Sequence, residues 1–353
     1  MKKYMFFIGT LRNGGAERVV SILSGRMAEQ GMEVEILTYY DRPVFYEIHP
    51  KVKVTAVETA SGKKNKVSNF LWLRKYLKEN AKIVISFLAP FNIMAIAAVI
   101  GTGIPVIAAD RNDPTKIPSN TMIRKLRDVM YRFADGVVVQ TEKNKAYFGK
   151  AVQKKSKVIY NPVNLGEYAA AALDCDKEKT VVSVGRLMPQ KNQKMLIEAF
   201  ASVLKKYPEY QLIIYGDGQG REELEKLISE RKLESRVLLP GSTTQLHEKI
   251  KSAELFVLSS DYEGMPNALI EAMCLGLPVI STKVSGATDL IKDHENGLLT
   301  EVGNQSELEA AMLELLENKE LSAKLSKKAV ELNEMLELSQ IMEQWIAFIK
   351  EIL

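Results

Sequence analysis

Two glutamates, Glu263 and Glu271, stand eight positions apart in a segment that could grip a polyol. Glu263 lies in a polar loop after the apolar run 255–258, and Glu271 lies in the helical pattern that follows. One carboxylate can accept hydrogen bonds from sugar hydroxyls, and a second can hold a ribose diol by two bonds. The alternatives are a helix-dipole acid at Glu263 and a surface residue at Glu271. The apolar neighbours of Glu271 favour partial burial, and a buried carboxylate requires partners.

The loop between these glutamates has the composition of a helix start. Pro266 occupies the place where a helix tolerates proline best, its first turn. Backbone N–H groups along Gly264–Asn267, Met265 included, are exposed at such a start and can receive phosphate oxygens. The segment therefore combines carboxylates for hydroxyl groups with a site for an anion.

Other reactive residue types lack a usable spacing. Cys175 and Cys274 are too few for a disulfide scaffold and suit a reducing compartment. Asp174–Asp176 forms a D-x-D, but it falls in a linker rather than after a strand, and we interpret it as coincidence. No metal site, nucleophilic triad or cofactor is predicted, and the scattered histidines are interpreted as structural or surface residues: His49, His247 and His294.

Charge is distributed unevenly along the 353 residues. The net charge of +4 combines a balance of +14 over Met1–Pro162 with −10 over Val163–Leu353. This division suggests different partners for the two halves, or simply two solvated surfaces. Apolar residues at 46% and charged residues at 26% are typical of a soluble globular protein, and the length favours two domains.

No export or membrane-spanning segment is predicted. The opening apolar run stops at Ile8, which is too short for a signal-peptide core. No stretch reaches the roughly 20 apolar residues that a membrane span needs, and Ile93–Ile100 is interpreted as a buried helix. We therefore expect a cytoplasmic protein, working at the inner face of the cytoplasmic membrane.

The elements that must position these residues alternate between short β-type runs and longer helical patterns. Six such runs occur in each half of the chain, which predicts an α/β protein with two doubly wound parallel sheets. Asn161-Pro162 marks a break, so we place the domains at 1–165 and 166–338. A terminal helix, 339–353, is expected to pack back on the first domain.

Several motifs in a fixed order resemble the retaining, GT-B-fold glycosyltransferases of family 4, also called glycosyltransferases group 1. The segment from Glu263 to Glu271 resembles their EX7E motif. The other matches are GGAERVV (14–20), VGRLMPQKNQKMLIEAF (184–200), YGDGQGREELE (215–225), LPG (239–241) and SGATDLI with HENGLL (285–299). The resemblance implies two Rossmann-like domains facing across a cleft. It also implies hexosyl transfer from a nucleotide diphosphate sugar, with UDP favoured, in polysaccharide or glycan assembly.

The family's functional residues carry over onto matching positions. Arg186 and Lys191 would bind the donor diphosphate, whose negative charge grows as the glycosidic bond breaks. Glu263 would contact donor-sugar hydroxyls, and Glu271 the ribose. Gly216 would line the nucleobase site, although glycine there also suits a plain turn. For Arg186 the alternative is a surface ion pair, and for Lys191 it is that the neighbouring Lys194 takes the role.

Two loops of the first half are further candidates. Gly14 and Gly15 precede a predicted helix, and the resemblance implies that this loop faces the donor diphosphate; a generic strand-to-helix turn would also favour glycine. Many family members carry a sugar-contacting histidine near 110, where this chain has Asp110 and Arg111 instead. Our hypothesis is that Asp110 or Arg111 orients the acceptor or the donor sugar.

The expected reaction is a same-face displacement without a metal, because both glutamates already have binding roles. The acceptor is predicted to be a saccharide, lipid-linked if the basic amphipathic segments 63–78 and 122–132 contact an anionic membrane. The alternative is that their apolar faces pack on the sheet. No nucleic-acid partner is expected. The rival functions are a nucleotide-sugar epimerase of the same fold and a non-catalytic nucleotide-sugar-binding protein.

Overall fold

The computed structural model describes residues 2–12, 14–62, 65–163, 176–243 and 245–353. The chain divides into unit 1, which is Met1–Pro162 with Leu338–Leu353, and unit 2, which is Val163–Glu337. Most of the predicted linker, including Asp174 of the D-x-D, lies outside the described residues. Each unit contains one parallel sheet with helices on its faces.

Unit 1 is built on a seven-stranded sheet in the order β3-β2-β1-β4-β5-β6-β7, in which every pairing is parallel. The six predicted runs are all strands. The seventh strand, β7, lies before the break predicted at Asn161-Pro162 and is not predicted, because its sequence Ser-Lys-Val has no apolar pattern. The strands are β1 Lys3–Ile8, β2 Val34–Thr38, β3 Lys53–Ala56, β4 Ala81–Phe87, β5 Val106–Ala109, β6 Gly136–Val139 and β7 Ser156–Val158.

Both faces of this sheet are covered, so its central strands β1 and β4 are mainly apolar. Phe6 and Ile8 of β1 enter one core, while Met5 and Phe7 enter the core on the opposite face. The C-terminal helix packs in the first core, where Trp345 stacks on Phe87 with ring centroids 5.9 Å apart. The helices of unit 1 are Gly15–Glu29, Val57–Ala60, Lys66–Asn80, Ala89–Val99, Thr121–Met130, Glu142–Tyr147, Lys150–Gln153 and Leu338–Ile352.

Unit 2 repeats the arrangement with six parallel strands in the order β10-β9-β8-β11-β12-β13. All six predicted runs of the second half are strands: β8 Glu178–Val184, β9 Gln211–Tyr215, β10 Val237–Gly241, β11 Ala253–Leu258, β12 Val279–Thr282 and β13 Leu298–Thr300. Its helices are Gln193–Lys206, Arg221–Glu230, Leu246–Ile250, Asn267–Cys274, Ser285–Leu290, Gln305–Glu317, Lys319–Ala329 and Leu332–Leu336. Within the described ranges of both units, no helix is long and apolar enough to cross a bilayer.

The strand order reverses direction once in each sheet. The reversal lies between β1 and β4 in unit 1 and between β8 and β11 in unit 2. The loops after two such neighbouring strands diverge to opposite faces and leave a crevice at the carboxyl ends, where open α/β sheets bind ligands. In unit 2 these loops carry Arg186 after β8 and Glu263 after β11.

A buried carboxylate, Glu35 of β2, ties the edge of the unit 1 sheet together. Its oxygens accept hydrogen bonds from Lys3 (2.7 Å), Thr55 (2.8 Å) and Tyr76 (2.8 Å). Burial on its own would raise the pKa of Glu35, but these hydrogen bonds outweigh it and lower the pKa from 4.5. The ionised form is therefore the one that stabilises the fold.

We predict that Glu35→Gln destabilises unit 1 by about 2 kcal/mol, because the amide loses the ion pair and keeps only part of the hydrogen bonding. The pKa of Glu35 is lower in the folded protein than in the unfolded chain. The stability difference between wild type and Glu35→Gln should therefore be fully present above pH 4.5 and should disappear as the pH falls through the folded pKa. Urea unfolding followed by tryptophan fluorescence reports unit 1 alone, since both tryptophans, Trp72 and Trp345, lie in it.

The matched control is Glu29→Gln. Glu29 pairs with Arg26 at 2.8 Å, but both side chains are about half exposed, so the change in unfolding free energy should be within about 0.5 kcal/mol. Equal urea midpoints for wild type and Glu35→Gln at pH 7 would contradict the prediction.

Candidate functional site

The centre of the unit 2 site is an ion pair between Lys191 and Glu263. The Lys191 Nζ lies 2.5 Å from the Glu263 Oε1, and the hydroxyl of Ser260 donates to the same oxygen at 2.6 Å. The Glu263 side chain is 9% exposed and that of Lys191 16%. The two charges therefore interact largely out of water, where their attraction is stronger than at the surface.

The loops that carry this pair are bonded to each other along their length. They are 189–192, which includes a 3-10 turn, and 259–263, which follows β11. Four hydrogen bonds join them: Asp261 N to Gln190 O (2.8 Å), Gln190 Nε2 to Tyr262 O (2.8 Å), Ser259 Oγ to Lys191 O (2.9 Å) and Asn192 Nδ2 to Asp261 Oδ1 (2.9 Å). Because backbone groups take part, the loops are fixed before any ligand arrives.

Asn192 ends the first loop and starts the next helix. Its backbone is left-handed, with φ at 46°, which asparagine tolerates better than most residues. Its side-chain oxygen accepts from the Met195 N–H at 3.3 Å and so caps the helix Gln193–Lys206. The cap fixes where the loop ends, and with it the position of Lys191.

Arg186 lies two residues after the end of β8 and is exposed. No carboxylate in the described ranges pairs with its guanidinium, so the alternative of a surface ion pair is not seen there. Its backbone carbonyl accepts from the Gln193 side chain at 2.9 Å, which anchors the main chain. The stem of Lys191 passes over the preceding Gly185: a Cβ added at Gly185 would lie 3.1 Å from Lys191 Cε. Two cationic side chains thus share this end of the sheet, while Lys194 is exposed on the helix.

Gly216 follows β9 and is needed for a close approach between two backbones. Its φ is +143°, and a Cβ there would overlap the carbonyl oxygen of Gly185. The strand ends are joined by the bond from Gly185 N to Tyr215 O at 2.9 Å. Glycine at 216 therefore lets the loop after β9 lie against the residue that precedes Arg186.

The helix start predicted at Gly264–Asn267 is confirmed, while the predicted contact of this segment with phosphate oxygens stays a prediction. The helix Asn267–Cys274 begins one residue after Pro266, and both Gly264 and Met265 are buried in the loop before it. Its first backbone N–H groups point out of the helix end, where no intrahelical acceptor exists. The segment packs closely against Gly286: a Cβ added at Gly286 would overlap the Gly264 carbonyl oxygen and lie 2.6 Å from Pro266 Cδ.

Glu271 lies inside this helix and is 4% exposed, which agrees with the burial expected from its apolar neighbours. Its Oε2 lies 3.4 Å from the Nε2 of His247. Sequence reasoning left His247 without a role because no spacing relates it to Glu271. Cys274 lies one turn further along the same helix. Its burial, and to a smaller extent the charge of Glu271, raise the pKa of Cys274 to about 12, so this thiol is not a nucleophile at neutral pH.

Gly14 and Gly15 stand at the start of the helix Gly15–Glu29 in unit 1, as predicted within one residue. Gly14 has an extended backbone that any residue can adopt, and the group nearest to an added Cβ is the flexible carboxylate of Glu17. Another residue could therefore occupy position 14 without disturbing the fold. The prediction that this loop approaches the donor diphosphate stays a prediction.

Asp110 follows β5 and is bound within a buried network. Its Oδ2 accepts from the Tyr131 hydroxyl at 3.0 Å and lies 3.7 Å from Arg127 Nη1. Burial raises the pKa of Asp110, and Arg127 and Tyr131 oppose that rise. Arg127 is fully buried and also donates to the carbonyls of Ile117 (2.8 Å) and Pro114 (3.0 Å). This network fixes the loop that follows Asp110.

Arg111 points into the fold as well. Its Nη2 donates to the side-chain oxygen of Asn161, which also accepts from Gln140 at 2.9 Å, and its guanidinium lies 5.9 Å from the Phe87 ring centroid. Burial lowers the pKa of Arg111 to about 9, and the neighbouring Asp110 opposes that shift. The structure thus brings Asp110 and Arg111 into internal contacts; their predicted contact with a sugar stays a prediction.

Residues 168–332 match the family described as Glycosyl transferases group 1, and residues 13–167 match Glycosyltransferase Family 4. A relative from Campylobacter jejuni is 34% identical, with 100% of this chain and 99% of the relative aligned. The chain belongs to the glycosyl transferases group 1. That relative is named a GalNAc-alpha-(1->4)-GalNAc-alpha-(1->3)-diNAcBac-PP-undecaprenol alpha-1,4-N-acetyl-D-galactosaminyltransferase. A second one from the same organism, 31% identical over 93% of this chain and 94% of its own, is an N-acetylgalactosamine-N,N'-diacetylbacillosaminyl-diphospho-undecaprenol 4-alpha-N-acetylgalactosaminyltransferase.

Solved structures show the fold of this glycosyltransferase. HepE from Anabaena, crystallised with UDP and glucose, superposes with a TM-score of 0.85 at 19% identity over 99% of this chain and 100% of that one. Sucrose-phosphate synthase from Thermosynechococcus elongatus gives 0.83 at 20% identity over 99% of each chain. The predicted GT-B class, with two Rossmann-like α/β domains, is confirmed.

Gly286→Ala tests the support behind Gly264–Pro266. The methyl group cannot fit against the Gly264 carbonyl, so this glycosyltransferase must shift its loop. We expect a cost of about 2 kcal/mol in stability and a fall in kcat/KM of at least about tenfold, since small misplacements of binding groups are costly. Steady-state kinetics with a nucleotide-sugar donor and thermal unfolding measure the two effects.

The control is Gly149→Ala, because a Cβ at Gly149 meets nothing within 4 Å and its backbone is not left-handed. Its activity should match wild type. A fully active Gly286→Ala enzyme would show that the loop position does not depend on Gly286.

Proposed function

We propose that this glycosyltransferase moves a hexosyl unit from a nucleoside-diphosphate sugar to a lipid-linked saccharide during bacterial surface-glycan assembly. The observation that carries the proposal is the largely buried Lys191–Glu263 pair, fixed by two bonded loops, together with Arg186 after β8, whose guanidinium has no carboxylate partner among the described residues. Cations and hydroxyl-binding carboxylates at the end of a parallel sheet are what a sugar diphosphate requires.

Each group has a distinct part in donor binding. Arg186 and Lys191 neutralise the diphosphate, and the N–H groups at the start of the helix Asn267–Cys274 add the positive end of a helix dipole. Glu263 accepts hydrogen bonds from hydroxyls of the transferred sugar, and Glu271 from those of the ribose. We favour UDP as the nucleotide, and the HepE complexes with UDP and with UDP-glucose support this choice.

We propose retention of the anomeric configuration by a same-face displacement that needs no metal. The leaving phosphate oxygen takes the proton from the acceptor hydroxyl, while the two cations stabilise the charge that develops on the diphosphate. Glu263 is held by Lys191 and Ser260 and serves as a binding group in this scheme rather than as a nucleophile. The α-linkages in the names of the Campylobacter relatives support retention if their donors are α-configured.

The acceptor is proposed from the relatives and from one exposed helix. Both Campylobacter relatives are named for acceptors on undecaprenol diphosphate. In the helix Thr121–Met130 the one buried side chain is Arg127, so the polar side of the helix faces the fold. The exposed apolar residues of this helix therefore do not pack on the sheet. In the other basic segment, by contrast, the helix Lys66–Asn80 packs Leu73 and Leu77 into the core, in agreement with the alternative considered from the sequence.

The outward stripe of this helix fits a membrane surface. Met122 is 79% exposed, and Leu126, Val129 and Phe133 follow it at helical spacing and are all exposed. Basic residues flank the stripe, namely Lys116, Lys125 and Arg132, all exposed. Apolar side chains ringed by cations suit an interface with anionic lipids, so we propose that unit 1 docks there to reach a lipid-linked acceptor.

Arg186→Ala should lower kcat/KM about 100-fold, because one cation that stabilises the leaving diphosphate is lost. The assay pairs UDP-sugars with an undecaprenol-diphosphate-linked saccharide, and NMR of the product gives its anomeric configuration in the presence and absence of EDTA. We expect retention and unchanged rates with EDTA. Arg111→Ala in the same assay tests the sugar-orienting hypothesis, which unchanged turnover would remove.

Arg231→Ala is the matched control, since Arg231 pairs with Glu198 on the surface of the same unit and should be dispensable. Equal loss in both variants would point to a general charge effect. Release of free sugar without an acceptor would instead support the epimerase.

The double variant Met122→Asp, Leu126→Asp should bind vesicles containing anionic phosphatidylglycerol at least about tenfold more weakly than wild type at low salt, because two inserted apolar groups are lost. Sedimentation with vesicles measures the bound fraction. The control places aspartates at Val302 and Met335, which are exposed apolar residues of unit 2. Wild-type protein that fails to pellet would contradict membrane docking.

A further inference from the structure

The cation predicted to hold the donor diphosphate already has a partner in this structure. Lys191 is paired at 2.5 Å with Glu263, the residue proposed to hold the donor sugar. Arg186 differs, because it is exposed and pairs with no carboxylate in the part of the chain that the structure describes. The two phosphate-binding cations are therefore not equivalent before the donor binds.

Glu263 is the fixed member of the pair and Lys191 the movable one. The Ser260 hydroxyl donates to the Glu263 carboxylate, and the carbonyl of Ser260 in turn accepts from the Thr282 hydroxyl at 2.6 Å. Lys191 instead carries its ammonium on four methylenes and is more exposed than Glu263. A ligand can draw the ammonium away while the carboxylate stays in place.

We infer that the Lys191–Glu263 pair makes this glycosyltransferase bind sugar-loaded donor in preference to the bare nucleoside diphosphate, and so aids product release. The inference rests on the proposed function. A bare diphosphate must take Lys191 from Glu263 and leave a buried carboxylate without its cation, which is costly. A donor carries hydroxyls that donate to Glu263 as its phosphates accept Lys191, so both charges keep partners.

The same exchange runs in reverse after transfer. Once the sugar has left with the acceptor, its hydroxyls no longer occupy Glu263, and the carboxylate competes again with the diphosphate for Lys191. The product then loses one of its two cations and dissociates faster. No covalent step or proton transfer is involved in this exchange, only a change of partners for one ammonium group.

Calorimetry with Glu263→Gln tests the inference. The probes are UDP, GDP and ADP and the corresponding glucose and N-acetylhexosamine nucleotides. We expect wild type to bind the nucleotide sugar at least about tenfold more tightly than its diphosphate, and Glu263→Gln to bind the bare diphosphate about tenfold more tightly than wild type does. The variant should not gain affinity for the nucleotide sugar, so the ratio of its affinities for nucleotide sugar and bare diphosphate should fall to about one. Glu198→Gln, which removes a carboxylate paired with Arg231 on the surface of unit 2, should change neither affinity.

Removal of a negative charge could by itself favour an anion, so the effect must be traced to Lys191. In a Lys191→Met background, Glu263→Gln should no longer tighten diphosphate binding. Persistent tightening there would overturn the inference. Glu263→Asp keeps the charge but shortens the side chain, and it should also tighten diphosphate binding if the 2.5 Å contact is what matters.

The calorimetry distinguishes a failure of the inference from a failure of the proposed function. If wild type binds none of the probes, the proposed function is wrong and the inference fails with it. If wild type binds nucleotide sugar but Glu263→Gln and Glu263→Asp bind the bare diphosphate no more tightly than wild type, only the inference fails. Circular dichroism of each variant, with Glu263→Asp as the milder change, confirms that folded proteins are compared.

Discussion

The ion pair between Lys191 and Glu263, whose side chains are 16% and 9% exposed, is the interaction on which the unit 2 site depends. The attraction between Lys191 and Glu263 offsets the cost of removing both from water. Ser260 binds the carboxylate, and four hydrogen bonds fasten the loop after β11 to the loop that carries Lys191. These loops are neighbours because β8 and β11 are neighbours, which follows from the reversal of strand order in the sheet.

The rest of the unit 2 site depends on how closely backbones can approach this pair. Gly216 lets the loop after β9 reach the end of β8, and Gly286 lets the helix Ser285–Leu290 support Gly264–Pro266. Glu271 then faces His247 from inside the helix that this loop begins. A site whose loops are fixed by backbone hydrogen bonds needs little backbone rearrangement to meet a charged ligand, which favours stabilisation of developing charge.

The sequence was sufficient for the fold, and it proposed candidate residues for this site whose roles stay predictions. Apolar runs predicted twelve of the thirteen strands found in the described residues, and among these β7 alone lacked an apolar pattern. The positions of Arg186, Lys191, Glu263 and Glu271 came from motif order, not from geometry, because these residues are far apart along the chain. Contacts such as those of His247 with Glu271 and Gly286 with Gly264 leave no periodic signal in the sequence. They arise only when separate loops meet.

The helix Thr121–Met130 shows a second limit of sequence reasoning. An amphipathic pattern defines two faces but not which one lies inside, and the usual assumption buries the apolar face. Here Arg127 is the buried residue, since it serves Asp110 and two loop carbonyls, and the apolar stripe faces outward. A buried arginine with many acceptors can thus reverse the expected orientation of a helix.

The most direct test of the central claim is a crystal structure of this protein with a bound nucleotide sugar. The account predicts diphosphate oxygens within hydrogen-bond distance of Arg186 and of a Lys191 ammonium that has left Glu263. It also predicts sugar hydroxyls on Glu263 and ribose hydroxyls on Glu271. A nucleotide bound elsewhere, or a Lys191–Glu263 pair still closed beside a fully occupied diphosphate site, would contradict it.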